Sequence, residues 1–250
     1  MKQFKNMIPA FLLILLFLGV WQMVASLMAK PFILPTPTQV IMKLWDLKEP
    51  LFLVHLPATL LIILTGLALS VLLGVGLAIW MNVSKLAEKA FYPILVSSQT
   101  IPIIAIAPIF VLWFGYSLWS KVAVTLIITF FPITVSTFDG LRSSSKELKE
   151  LLQTMGASKK DIFLKLNVPS ALPYFFSGLK VAVTLSVIGA AIGEWLGAQS
   201  GLGYFSRRMM TQFDAAGVFA PIVLLSAIGI SLFLAVVIIE KITLKWRKTE

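Results

Sequence analysis

The sequence predicts an all-α integral membrane protein with about six transmembrane helices, on three observations. The chain is 58% hydrophobic and 13% charged over 250 residues, with mean hydropathy +0.94, which leaves too little polar surface to cover a soluble core of that size. Its apolar residues fall into runs of roughly 20, the length that crosses about 30 Å of hydrocarbon. Its Lys and Arg flank those runs, the pattern of membrane topology, so the net charge of +10 does not indicate a nucleic-acid groove. The chain has no Cys, which excludes disulfides, thiolate metal sites and cysteine nucleophiles together.

In order, Met7 to Met28 is the first span, behind Lys2 and Lys5. It exceeds the roughly 7–15 residues of a signal-peptide core and reads as a retained helix. Lys30 to Pro57 holds Pro31, Pro35, Pro37 and Pro50 and reads as an external loop with a short surface helix from Thr38 to Leu47, capped by Thr38. Leu56 to Met81 is the second span, with Gly66, Gly74 and Gly76 for close helix approach. After a polar turn from Asn82 to Lys89, Phe91 to Phe114 is the third span. Pro93, Pro102 and Pro108 force it to kink or unwind, which a membrane tolerates only against protein or a wet cavity.

Lys121 to Phe138 is the fourth span. Gly178 to Ala198 is the fifth, where Gly189, Gly193 and Gly197 give two overlapping Gly-x-x-x-Gly registers. Gln199 to Gly217 reads as a polar loop carrying Arg207 and Arg208, and Val218 to Ile239 is the sixth span. On alternate sides, one face collects Lys2, Lys5, Lys85, Lys89, Arg142, Lys146, Lys149, Lys159, Lys160, Lys165, Lys241, Lys245, Arg247 and Lys248. The other collects Lys30, Lys43, Lys48, Lys121, Arg207 and Arg208. The excess places both termini in the cytoplasm. No repeat of roughly 20–50 residues interrupts this map, so residues 1–250 form a single membrane domain.

The one long polar stretch, Ser143 to Pro173, carries its own helix signals. Ser144 with Glu147 reads as a capping box, and Leu148, Leu151, Leu152 and Met155 share one helical face. Gly156 ends that helix, Ser158 with Asp161 starts a second, and Pro169 stops it. The charge count puts this hairpin in the cytoplasm.

These residues carry a resemblance. Glu150, Gly156, Leu166, Val168 and Pro169 keep the spacing of the EAA motif of ABC importer permeases, with Leu151 and Leu152 where that family usually has two alanines. IPIIAIAPIFVLWFG at Ile101 to Gly115 resembles the binding-protein-dependent permeases that import nitrate, sulfonates and taurine. The run IGEWLGAQSGLGY from Ile192 to Tyr204 is similar to permeases assigned to hydroxymethylpyrimidine, a thiamine precursor. The resemblance covers about Pro57 to Lys241.

It implies the type I ABC importer permease fold with a cytoplasmic coupling helix, in a bacterial cell membrane. It also implies a second permease copy, two ATPase subunits and an external solute-binding protein. Glu150, Gly156, Ala157, Ser158, Lys159, Lys160, Asp161 and Pro169 are then the expected ATPase-coupling residues.

The chain has no Gly-x-x-x-x-Gly-Lys-Ser/Thr loop, so ATP and Mg are expected on the partner ATPase and no cofactor in this chain. The one His, His55, has no partner for a metal site or a Ser-His-Asp group, and no enzyme activity is expected. Glu194 is an ionisable residue within a span whose only nearby cation is Lys180, about four turns away, and is a candidate for the gate or pathway wall. Gln99 beside Pro102, Trp113 and Trp195 are further pathway candidates, while Asp139 and Arg142 read as an interfacial pair. The only cation expected at membrane depth is Lys180, which favours a neutral or weakly charged solute over nitrate or a sulfonate; a permease for sulfonate, taurine or nitrate is the alternative. A non-transporting membrane anchor for a cytoplasmic enzyme is the rival class.

Overall fold

The computed structural model describes residues 2–246. Of the cations in the charge count, the side chains of Lys2 and Lys5 and the residues Arg247 and Lys248 lie outside the described residues. Among the described residues, five helical stretches are long and apolar enough to cross a membrane: Phe11–Met28, Lys48–Val83, Leu118–Arg142, Lys159–Trp195 and Ala215–Thr243. The first belongs to α1 (Lys2–Met28), and α2 (Pro37–Asp46) follows it. Next, α3 (Lys48–Pro50) runs through a π-helical turn, Leu51–His55, into α4 (Leu56–Val83).

The third expected span is two helices, α5 (Lys85–Ser98) and α6 (Ile103–Phe114), bent by 106° at the break holding Gln99 and Pro102. The rest are α7 (Leu118–Arg142), α8 (Lys146–Thr154), α9 (Lys159–Ile162), α10 (Val168–Trp195), α11 (Leu202–Thr211) and α12 (Ala215–Thr243).

Contacts between these helices fix their directions. Gly66 faces Thr125 and Gly74 faces Thr134, so numbers rise together and α4 runs parallel to α7. Two parallel neighbours require the chain to return between them. The bent pair makes that return, because Glu88 near the start of α5 pairs with Arg142 at the end of α7, whereas α6 finishes just before α7 begins. Taken as one broken crossing, it brings the crossings among the described residues to six, α1 included. Against α7, α10 runs antiparallel: Gly189 meets Thr125, while Gly140 meets Ala171. The pair Lys180–Glu240 (2.8 Å) and the contact of Gly229 with Val187 set α12 antiparallel to α10.

The core is centred on α7. In lipid, where apolar burial gives helices little reason to associate, close packing and hydrogen bonds do the work. A Cβ on Gly189 or Gly193 would lie 2.9 Å from the Cα of Thr125 or Lys121, so the α7 and α10 backbones touch. Only this register packs helix on helix; α10 ends at Trp195, and Gly197 lies in the following turn against the Tyr116 ring. Buried Thr125, Thr129, Thr134 and Thr137 of α7 donate to the carbonyls four residues back, which lets polar side chains sit in the core. By contrast α1 stands almost clear of the bundle, joined where Trp21 Nε1 donates to Pro35 O (3.1 Å) and its ring packs on Phe219.

Several sequence expectations need correction. The Lys30–Pro57 loop is largely helical, and its cap is Thr36, in a capping box with Gln39. Pro37 occupies the first helical turn, where a missing N–H costs nothing, and Thr38 falls inside the helix. The Asn82–Lys89 turn reduces to Ser84, which caps α5. The Gln199–Gly217 loop contains α11, whose apolar residues Leu202, Phe205 and Met209 are buried while Arg207 and Arg208 face out. Arg142 pairs with Glu88, leaving Asp139 beside them in the same cleft and not as its partner.

Candidate functional site

Two polar regions stand at opposite ends of the bundle. One is the elbow between α7 and α10. Its first helix, α8, is capped by Ser145, whose hydroxyl accepts from the Leu148 N–H (3.2 Å). This corrects the expected Ser144–Glu147 box: the Ser144 hydroxyl reaches across the hairpin to Asn167 Oδ1 (3.1 Å). Gly156 takes φ +83°, a conformation in which a Cβ would clash with the backbone. The Gly156 and Ala157 N–H groups thereby return to Gln153 O and Leu152 O, ending α8. Ser158 and Asp161 form the expected reciprocal box at α9.

Pro169 does not stop this second helix. A π-helical turn, Phe163–Asn167, absorbs the missing donor, and the chain runs on as one helical rod from Lys159 to Trp195. The surface of the elbow is unusual for a hairpin in a folded domain. Leu148, Leu151 and Met155 are 50%, 54% and 74% exposed, and α8 buries none of its residues. Glu150 makes only a solvent-exposed contact with Lys146 (3.6 Å). Lys159 and Lys160 are exposed and have no carboxylate within ion-pair distance among the described residues.

The other region is a buried polar knot at the far end. Glu194, 1% exposed, accepts from the Thr59 hydroxyl (2.7 Å) and the Gly203 N–H (2.6 Å). Thr59 in turn accepts from the Leu202 N–H (2.8 Å), and His55 Nδ1 accepts from the Gly201 N–H (3.1 Å). Gly201 sits at φ +119°, and a Cβ there would overlap the Glu194 carboxyl. His55 is thus a buried helical residue and not part of an external loop. Lys180 is not the cation nearest in effect to Glu194, being tied to Glu240. The charge acting on Glu194 is that of Lys121, on α7 opposite Gly193.

The remaining expected pathway residues do not converge. Gln99 is exposed at the α5–α6 break. Trp113 is 70% exposed and packs edge-on against Phe110. Trp195 lines an apolar groove of about 530 Å³ between α10 and α12, with Ile188, Ile222 and Ser226. Thr59 and Gly203, which hydrogen-bond Glu194, and Gly201, whose backbone packs against its carboxyl, were not singled out by the sequence. The glycines lay in plain view within IGEWLGAQSGLGY, but Thr59 is one hydroxyl in an apolar run and gives no signal without its neighbour.

Residues 70–244 match the family described as binding-protein-dependent transport system inner membrane component. The formylaminopyrimidine transport permease protein ThiX of Halalkalibacterium halodurans is 56% identical over 250 residues, covering all of both chains. The riboflavin transport system permease protein RibX of Chloroflexus aurantiacus is 33% identical, over 93% of this chain and 88% of its own. The putative aliphatic sulfonates transport permease protein SsuC of Bacillus subtilis is 29% identical, over 93% and 85%. Six crossings, an EAA-like elbow with a bare apolar face and these similarities agree: the chain belongs to the binding-protein-dependent transport system inner membrane component family, as a permease subunit that is not itself an enzyme and whose ATPase is a separate chain.

Proposed function

We propose that the chain is the membrane half of an ATP-driven importer for a thiamine-precursor pyrimidine, formylaminopyrimidine or hydroxymethylpyrimidine. It would act as a pair of identical copies above two ATPase subunits that bind ATP and Mg, fed by an external solute-binding protein. One observation carries the substrate: the 56% identity, over all of both chains, to a relative named for formylaminopyrimidine. The charges agree with it. Lys180 is paired with Glu240, and the ammonium of buried Lys121 is turned to Tyr116 O (2.8 Å) and Ser117 O (2.9 Å), so neither is presented openly to a sulfonate or nitrate.

The elbow supplies the coupling. Its face carries Lys85, Lys89, Arg142, Lys146, Lys149, Lys159, Lys160 and Lys165, and this excess of cations supports a cytoplasmic side for the elbow and both termini. Leu148, Leu151 and Met155 bed into the ATPase, with Lys159 and Lys160 at the rim of that contact. ATP binding draws the two Met155 to Ile162 turns together. Because α9 continues into α10, the displacement passes along one rod into the α7–α10 interface and turns the bundle outward. Solute enters from the binding protein, and hydrolysis resets the bundle.

Reconstitution with the ATPase and binding protein in vesicles tests the reading. Formylaminopyrimidine should stimulate ATP hydrolysis and accumulate inside, and an aliphatic sulfonate should do neither. Stimulation by the sulfonate alone would move the substrate assignment. No stimulation by any solute would favour a mere anchor, and solute flux without nucleotide would favour a channel.

A further inference from the structure

The knot around Glu194 does more than satisfy a buried carboxylate. A helix that begins inside a protein leaves its first N–H groups without intrahelical partners, and α11 begins there. Three consecutive donors, from Gly201, Leu202 and Gly203, are taken up by His55, Thr59 and Glu194, side chains of the π turn before α4, of α4 itself and of the end of α10. The acceptors are also joined to one another, since the Thr59 hydroxyl donates to Glu194 Oε1. A carboxylate at a helix N-terminus is favoured by the helix dipole as well as by the hydrogen bonds.

The space is closed: a Cβ on Gly203 would stand 2.9 Å from both the Ala191 backbone and Glu194 Oε2. Drawing α11 away would strand an imidazole, a hydroxyl and a carboxylate in a buried site at once, and networks of this kind break as units.

We propose that Glu194 and Thr59 are positioning residues of the transport cycle, capping α11 from within so that the far ends of α4, α10 and α11 move as one block, with α11 a fixed stopper and not a swinging gate. The proposal rests on the importer reading for what the block does, but the geometry of the block can be tested without it. The chain has no Cys, so Leu53→Cys and Met210→Cys, on residues 76% and 59% exposed, give unique sites for spin labels on either side of the knot.

Pulsed electron paramagnetic resonance would be run on the full transporter with cysteine-free partner subunits, the labelled copy diluted into unlabelled copies. The label distance should change by less than about 2 Å between nucleotide-free and ATP-trapped states, whereas a swinging helix would move it by about 5 Å or more and overturn the proposal.

In the same complex Thr59→Val, which keeps the shape and loses the hydroxyl, should broaden that distance and lower the ratio of solute-stimulated to unstimulated ATP hydrolysis about tenfold. Thr59→Ser should restore both. A Thr59→Val protein with wild-type ratio and distance would also overturn the proposal. Absence of solute stimulation in the unsubstituted complex would count against the importer reading alone, because the label distances still decide whether the block exists.

Discussion

The knot and the elbow are both polar, and both surround a glycine at positive φ, yet they are built on opposite terms. At the knot, Glu194, Thr59 and His55 are buried, their partners lie within the chain, and a Cβ on Gly201 or Gly203 meets atoms. At the elbow, Lys159, Lys160 and Glu150 are exposed, an apolar face stands bare, and beyond its own two chain neighbours a Cβ on Gly156 would meet nothing within 4 Å. The far end is completed by its own sequence. The elbow presents an apolar face that no described residue covers, so damage at the far end should cost stability as well as coupling, whereas damage at the elbow should cost chiefly coupling.

The largest effect is expected from Gly193→Leu at the far end. Its Cβ would stand 2.9 Å from the Lys121 Cα, a backbone contact that no rotamer relieves, so α7 and α10 must separate. Overpacking of this kind costs about 3 kcal/mol. Thermal unfolding of the purified protein should shift down sharply, and an unshifted midpoint would break the contrast.

Gly156→Val should come next and differ in kind. With open space around the Cβ, only the φ of +83° is penalised, by about 1–2 kcal/mol confined to the turn. The unfolding midpoint should fall by only a few degrees, less than for Gly193→Leu, while solute-stimulated ATP hydrolysis falls about tenfold. Full stimulation in this variant would detach the elbow from coupling.

Lys159→Glu with Lys160→Glu should be milder still. Rim charges set association rate and salt dependence more than affinity, so binding of the ATPase should slow several-fold at low salt and converge with wild type at high salt.

The same contrast explains what could be read from the sequence. The spans were legible because apolar length and flanking charge are local properties, and so was the elbow, since Ser158, Asp161 and Gly156 act within a few residues of one another. Errors clustered where a local signal met a tertiary one. Ser144 and Ser145 are both competent caps, and the choice is made by Asn167, 23 residues away. Pro169 is a helix stop in isolation, and only the π turn lets the rod pass through it. Thr59 and Glu194 are separated by 135 positions, so no window on the sequence could join them, and α11 is polar enough outside the knot to pass for a loop.

The smallest expected effect separates burial from location. Asp214 lies at the far end, like the knot, but its pair with Lys43 (2.7 Å) is partly open to solvent, with side chains 27% and 34% exposed. Burial pushes its carboxyl up, yet the hydrogen bond from Lys43, the Gly217 N–H that it caps and the Lys43 charge together hold it below the ordinary value. A carboxyl depressed in the folded state adds stability above its unfolded pKa of about 3.9, and that increment disappears as pH falls through the lower folded value. Asp214→Asn keeps an oxygen for the cap and loses the ion pair, so it should cost at most about 1 kcal/mol near pH 7. The difference in unfolding midpoint from wild type should shrink towards zero as the pH is lowered below about 3.9. A loss as large as that of Gly193→Leu would mean that position at the far end, and not enclosure by the chain, sets the energetics there.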